Sequence, residues 1–190
     1  MRKIWLFIPF LFLSACIGTT QNSKFYYLQA ENTTGYVNKN IKATIGVREV
    51  NIPDYLDKPQ IVTLKSGGVE LNISELNRWS ESLASMMQRV IANDLSYNLP
   101  NAVVKPRVSA REDFKYLVQV EIGKFEGAWD KTANLEGWWS ITNPLGETLV
   151  QKRVSISTPM GGGYDEYVNA QSKLLAELSA QIAQGFSKLR

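Results

Sequence analysis

A chain of 190 residues with no histidine and a single cysteine cannot build several common catalytic and metal sites. Ser–His and Cys–His triads, histidine metal sites and zinc sites made of several cysteines are excluded. The formal net charge of +3 includes Arg2 and Lys3, so the rest of the chain carries only +1, on scattered side chains. The sequence therefore predicts no nucleic-acid binding and no metal or other cofactor. Carboxylate-only catalysis stays open, but Asp54, Asp57, Glu70, Glu75 and Glu81 have the pattern of surface and cap residues, so we expect no enzyme.

The first sixteen residues have the organisation of a secretory signal peptide that ends at a lipidation site. A basic start precedes residues 4–13, an apolar run that is too short to span a bilayer as a helix. The sequence Leu-Ser-Ala-Cys that follows resembles the lipobox of bacterial lipoproteins. We expect cleavage between Ala15 and Cys16, with residues 1–15 as the signal peptide and a covalent lipid anchor on Cys16.

A short tether joins the expected anchor to the rest of the chain. Residues 16–23 form this tether, and residues 24–190 are predicted to be a single α+β domain. Seven extended residues after the cysteine reach only about 25 Å. Ile17, and not an aspartate, follows the cysteine, which favours the outer membrane in enteric-type bacteria. We expect a lipid-anchored domain held close to the outer membrane and facing the periplasm.

The first half of the domain is predicted to contain strands and then a long helix. Residues 43–53 have the pattern of a strand with a bulge near residues 48–49, where the parity of the apolar positions changes. Residues 61–65 and 70–73 flank a Ser-Gly-Gly turn and predict a hairpin. Ser74 is a suitable N-cap for a helix that ends near residues 98–101. The apolar stripe of this helix comprises Leu76, Trp79, Leu83, Met86, Val90 and Leu95.

The second half is predicted to contain strands followed by one helix. Residues 102–107 form a short strand, and residues 114–122 alternate apolar and polar side chains as a half-buried strand does. Residues 135–143 and 148–158 flank an Asn-Pro-Leu-Gly turn and predict a hairpin. Residues 167–188 predict an amphipathic helix. The expected fold is a two-layer α+β domain, with a largely antiparallel sheet and two long amphipathic helices on one face.

Aromatic side chains indicate a candidate surface for a partner protein. Strand alternation points Trp139 towards the core and places Trp138 on the opposite, polar face. Trp129 and Phe125 come from the preceding strand and its exit, and we expect them near Trp138. Because exposed aromatic residues often mark interfaces, we predict that Trp138, Trp129 and Phe125 form a partner interface. The alternative is that a loop covers this face.

Several segments of the mature chain resemble segments of one known family, both in amino-acid sequence and in their order along the chain. They are FYYL at 25–28, IGVREV at 45–50, IPDYLDKPQIV at 52–62, RWSESL at 78–83 and the closing helix around 170–179. Together they resemble the PqiC (YmbA) family, the ABC-type transport auxiliary lipoproteins. The resemblance covers nearly all of the mature chain, and its most specific parts are the Pro-x-Tyr-Leu-Asp-x-Pro-Gln-Ile-Val and Arg-Trp segments.

The resemblance implies a non-catalytic outer-membrane lipoprotein of a trans-envelope lipid transport system that supports membrane integrity. Similar proteins work with an MCE-domain protein, which forms a hydrophobic tunnel across the periplasm, and with an integral inner-membrane partner. The resemblance also implies a homo-oligomeric ring that receives the tip of the tunnel. The alternative from another class is a regulatory outer-membrane lipoprotein, which activates a cell-wall synthase or pilots a secretion pore.

Overall fold

The computed structural model describes residues 22–31, 35–65, 68–109 and 112–189. Ala15, Cys16 and residues 66–67 of the predicted turn lie outside the described residues. The elements of the described chain are β1 (Lys24–Tyr26), β2 (Thr44–Val47), β3 (Gln60–Leu64), β4 (Leu71–Trp79), α1 (Leu83–Asn98), β5 (Val103–Lys105), β6 (Tyr116–Gly127), β7 (Thr132–Thr142), β8 (Thr148–Pro159) and α2 (Tyr164–Phe186).

The strands form a five-stranded sheet in the order β5-β2-β6-β7-β8 and a three-stranded sheet in the order β1-β4-β3. The long ladders β6–β7 and β7–β8 are antiparallel, as is β3–β4. The shorter ladders are parallel, because β2 pairs with β5 and β6, and β1 pairs with β4. A parallel bridge between Leu64 and Ala128 brings the smaller sheet to the end of β6.

Both helices pack on the sheet and enclose one apolar core. Helix α2 contacts β6, β7 and β8, and α1 contacts α2, β2 and β5. The largest fully buried side chains include Trp139, Tyr167, Phe125, Phe186 and Met86. Burial of apolar surface at about 25 cal/mol per Å² holds these layers together. The predicted α+β class, with two helices on the sheet, is confirmed for the described residues.

The predicted start of the first helix at Ser74 is wrong, because residues 71–79 form strand β4. Ile73 pairs with Val62 of β3, and the helix starts only after its N-cap residue, Ser82. The Ser74 Oγ does accept a hydrogen bond from the backbone N–H three residues later, at Asn77 (3.0 Å). This bond has the spacing of a helix cap, but it lies at an irregularity of the β3–β4 ladder, where β4 has extra residues.

The predicted bulge after β2 is confirmed. Val47 lies beside Val118 of β6, whereas Asn51 lies beside Glu121, so this segment carries one more residue than β6 does. The backbone N–H of Arg48 donates to the Val118 carbonyl (2.9 Å) as the chain leaves the regular ladder. The extra residue leaves Arg48 and its neighbour Glu49 exposed beside the outer face of β6.

Helix α2 starts three residues earlier than the predicted residue 167. Its N-cap, Gly163, has a φ of 110°, a conformation that L side chains rarely adopt. Asp165 and Glu166 occupy the first turn, where negative charge interacts favourably with the helix dipole. The three consecutive glycines before the helix therefore serve as a strand-to-helix connection.

Candidate partner interface

The two adjacent tryptophans of β7 point to opposite faces of the five-stranded sheet. Trp139 is 1% exposed and lies against α2, whereas Trp138 is 47% exposed on the other face. β7 pairs regularly with β8 along this stretch, so alternation continues without interruption through the two residues. The expected orientation of the pair is confirmed, and the helices leave Trp138 accessible.

Charged side chains of both signs surround the Trp138 indole. Its register partners are Glu121 on β6 and Arg153 on β8. On the same face, Glu136 accepts a hydrogen bond from the Lys124 Nζ (2.9 Å) and lies 3.7 Å from the Arg153 guanidinium. The bond to Lys124 lowers the pKa of Glu136, and the same bond raises the pKa of Lys124. The face therefore combines one large apolar ring with fixed charges.

Among the open depressions on this side of the domain, two share the bulge residues Arg48 and Glu49. One, of about 330 Å³, has Trp138 at one side and the bulge residues Arg48 and Glu49 at the other. The next, of about 630 Å³, shares those two residues and adds Arg89 and Arg107. Arg89 is held by an ion pair with Glu81 on the α1 side. These shallow, polar surfaces suit contact with another macromolecule better than enclosure of a small molecule.

The arginines of the second depression were not among the predicted site residues. Arg48, Arg89 and Arg107 come from the segment after β2, from α1 and from the segment after β5. Their proximity depends on the parallel pairing of β2 with β5. No local sequence pattern signals that pairing, so the sequence alone gives no indication of this group.

Phe125 does not belong to the exposed interface, and that part of the prediction is wrong. Its side chain is fully buried in the core. The β6–β7 register shifts between Ile122 and Lys124, and this irregularity reverses which alternate residues of β6 face outward. Phe125 therefore joins the inner face, although simple alternation from Glu121 would place it beside Trp138.

Trp129 lies neither on the outer face, as Trp138 does, nor in the core, as Phe125 does. It is at the turn between β6 and β7. Its ring packs edge-on against Tyr164 (5.1 Å between centroids) and Tyr167 (6.1 Å), at the start of α2. It is half-buried and attaches the turn to the helix. The structure therefore separates the three predicted aromatic residues and leaves Trp138 alone of the three on the outer face of the strands.

The described ranges contain no group of three or more Asp, Glu, His or Cys residues that could hold a metal ion. On the tryptophan face, Glu136 is engaged with Lys124 and lies near Arg153. No helix in the part of the chain that the structure describes is long and apolar enough to cross a membrane.

Comparison with known proteins identifies the family. The family model of the ABC-type transport auxiliary lipoprotein component matches residues 26–183. The chain has no detectable match among curated protein sequences. A solved structure described as an uncharacterized protein has a TM-score of 0.73 and 24% identity, and covers 87% of this chain and 99% of its own. The structure of protein XCC0632 from Xanthomonas campestris has a TM-score of 0.67 and 11% identity. The match covers 85% of this chain and 93% of that protein's chain.

The two structural matches show only that the fold is shared. The family is assigned from the match to the family model. The matched residues run from β1 to the last turns of α2, so the match includes both sheets and both helices. This is the family that the sequence resembles. The chain belongs to the ABC-type transport auxiliary lipoprotein components.

Proposed function

We propose that this chain is a non-catalytic, lipid-anchored subunit of an MCE-type trans-envelope lipid transport system. In this proposal it lies at the outer membrane, faces the periplasm and docks the tunnel protein there. The match of residues 26–183 to a transport auxiliary lipoprotein family is the observation that carries the proposal. The absence of histidine from the sequence supports a docking role over catalysis.

The proposed anchor is a set of acyl chains on Cys16. One acyl chain holds a protein only marginally, whereas two or more hold it stably, at about 0.8 kcal/mol per buried methylene. The short tether keeps the domain within about 25 Å of the lipid surface. This distance suits a protein that receives a tunnel at its own membrane.

The proposed docking surface is the outer face of β6, β7 and β8 around Trp138. Tryptophan is among the residues that contribute most to binding when a partner covers it. Glu121 and Arg153 on either side of the indole would select the orientation of the partner by charge complementarity. In this proposal several copies form a ring, and the assembled surface lets lipid tails pass without crossing water.

Affinity purification of the lipidated protein from mildly crosslinked, detergent-solubilised envelopes tests the proposal. We expect an MCE-domain protein and its integral inner-membrane partner among the captured proteins. Trp138→Ala should reduce this capture strongly, because loss of a central tryptophan costs about 2 kcal/mol, or roughly thirtyfold in affinity. The side chain is half-exposed, so the variant should retain the fold, which circular dichroism checks.

Tyr97→Ala is the matched control, because Tyr97 is 50% exposed on α1 and Trp138 is 47% exposed on β7. This control should capture the tunnel protein as the wild type does. Recovery of a cell-wall synthase or a secretion pore, with no MCE-domain protein, would contradict the transport proposal and favour a regulatory lipoprotein. Equal capture by Trp138→Ala and wild type would keep the transport role and assign docking to another face.

A further inference from the structure

The β3–β4 hairpin exposes a row of aliphatic side chains that the core does not cover. Val69, Ile73 and Leu71 are exposed, and Val69 is 90% accessible. Ile73 lies opposite Val62, and Leu71 lies opposite Leu64, so each pair shares one face of the hairpin. An exposed aliphatic row on a sheet is costly in water and indicates a contact outside the domain.

The parallel pairing of β1 with β4 sets the direction in which the N-terminal chain leaves the domain. Lys24 lies beside Asn77, and Tyr26 lies beside Trp79. Because the two strands run in the same direction, the chain before Lys24 leads along β4 towards Leu71 and the hairpin end. Phe25, at 65% exposure, lies on this outer strand.

The chain between the expected anchor and β1 is long enough to reach the hairpin. Eight residue steps separate Cys16 from Lys24, which lies beside Asn77, and they reach at most about 28 Å. The six residue steps of β4 from Asn77 back to Leu71 extend about 20 Å. An acyl chain on Cys16 therefore brings the lipid surface within reach of the exposed end of this hairpin.

We propose that Val69, Leu71 and Ile73, together with Phe25, form a lipid-contact patch that rests on the phospholipid surface holding the anchor. The inference depends on the lipid anchor of the proposed function. Aliphatic side chains with an aromatic neighbour suit the boundary between acyl chains and headgroups. Lys24 precedes Phe25 in β1, and its cation suits anionic headgroups, whereas Lys65 is paired with Glu70 of the same hairpin. The contact would fix the orientation of the domain, which the lipid anchor alone does not fix.

An environment-sensitive fluorophore at the hairpin tests the lipid-contact patch. The full lipidated protein is reconstituted into phosphatidylethanolamine–phosphatidylglycerol vesicles, with NBD attached to Val69→Cys. Lipidation occupies the thiol of Cys16, so the new cysteine is the single labelling site. Leu145→Cys is the matched control, because Leu145 is 86% exposed at the β7–β8 turn and Val69 is 90% exposed.

We expect at least a twofold rise in fluorescence, a blue shift and quenching by shallow doxyl-labelled lipids at position 69. Position 145 should show none of these changes. A label at position 69 that behaves like the label at 145, while both proteins float with the vesicles, would overturn the patch. A rise that depends on protein density and resists lipid quenching would also overturn it, because a second copy would then cover the hairpin. Failure of both proteins to float would instead contradict the anchor in the proposed function.

Discussion

At the scale of single residues, Asp94 is a carboxyl group buried between the two helices. It lies on α1 at 1% exposure, and its Oδ1 accepts a hydrogen bond from the Glu31 backbone N–H (2.8 Å). Burial disfavours the charged form and raises the pKa of Asp94 to about 7. The folded protein therefore retains a proton that the unfolded chain releases near its ordinary pKa of 3.8.

This difference predicts how stability depends on pH. Between about pH 4 and pH 7 the unfolded chain loses the Asp94 proton first, so the free energy of unfolding falls as pH rises and levels off above pH 7. Asp94→Asn removes this penalty. The stability of the variant relative to wild type should rise between pH 4 and pH 7. At pH 8 the difference in the free energy of unfolding should be on the order of 2 kcal/mol.

Urea denaturation of both proteins at pH 4, 6 and 8 measures the effect. A constant difference between variant and wild type at all three pH values would contradict a raised pKa for Asp94. Asn retains the oxygen that accepts the Glu31 bond, so the variant should fold.

At the scale of elements, α2 lies so close to β7 that the contact requires a glycine. A Cβ at Gly185 would lie 2.6 Å from the Trp139 ring and 3.2 Å from the Ile141 Cδ1. Both neighbours are buried in the core, at 1% and 0% exposure. The approach of helix to sheet therefore depends on this missing side chain.

Gly185→Ala is predicted to destabilise the domain. Alanine favours the helix by up to about 1 kcal/mol over glycine, but overpacking of a filled core costs about 1–3 kcal/mol. The net loss should be about 1 kcal/mol, measured by urea denaturation. Gln184→Ala, at an exposed position one residue earlier, should change stability by less than about 0.5 kcal/mol. A Gly185→Ala variant as stable as wild type would show that α2 can move away from Trp139.

The irregular strands mark where sequence patterns predict structure and where they do not. Alternation placed Trp138 and Trp139 correctly, because β7 pairs regularly there. The expectation that Phe125 lies near Trp138 failed, because one irregularity in β6 reverses which side chains face outward. Ser74 has the residue type and spacing of a helix cap, and only the pairing of β4 with β3 decides against a helix. Local sequence does not encode long-range pairing, so these errors fall at bulges and edges.

At the scale of the whole molecule, the proposals give the domain two different contacts. The hairpin around Val69 and Ile73 lies on the side from which the N-terminal chain leaves, and we propose that it contacts lipid. The face around Trp138 lies on the outer side of the larger sheet, and we propose that it contacts protein. Family membership and the α+β fold were predictable from the sequence, whereas the depression lined by Arg48, Arg89 and Arg107 depends on tertiary contacts.

The most direct test of the docking proposal is site-specific photocrosslinking in living cells, with benzoylphenylalanine in place of Trp138. We expect a crosslink from position 138 to an MCE-domain protein. The same probe at Tyr97, a similarly exposed position on α1, should give no such product. Crosslinks from position 138 to a cell-wall synthase or a secretion pore, with no MCE-domain protein, would contradict the docking of a lipid-transport tunnel at this face.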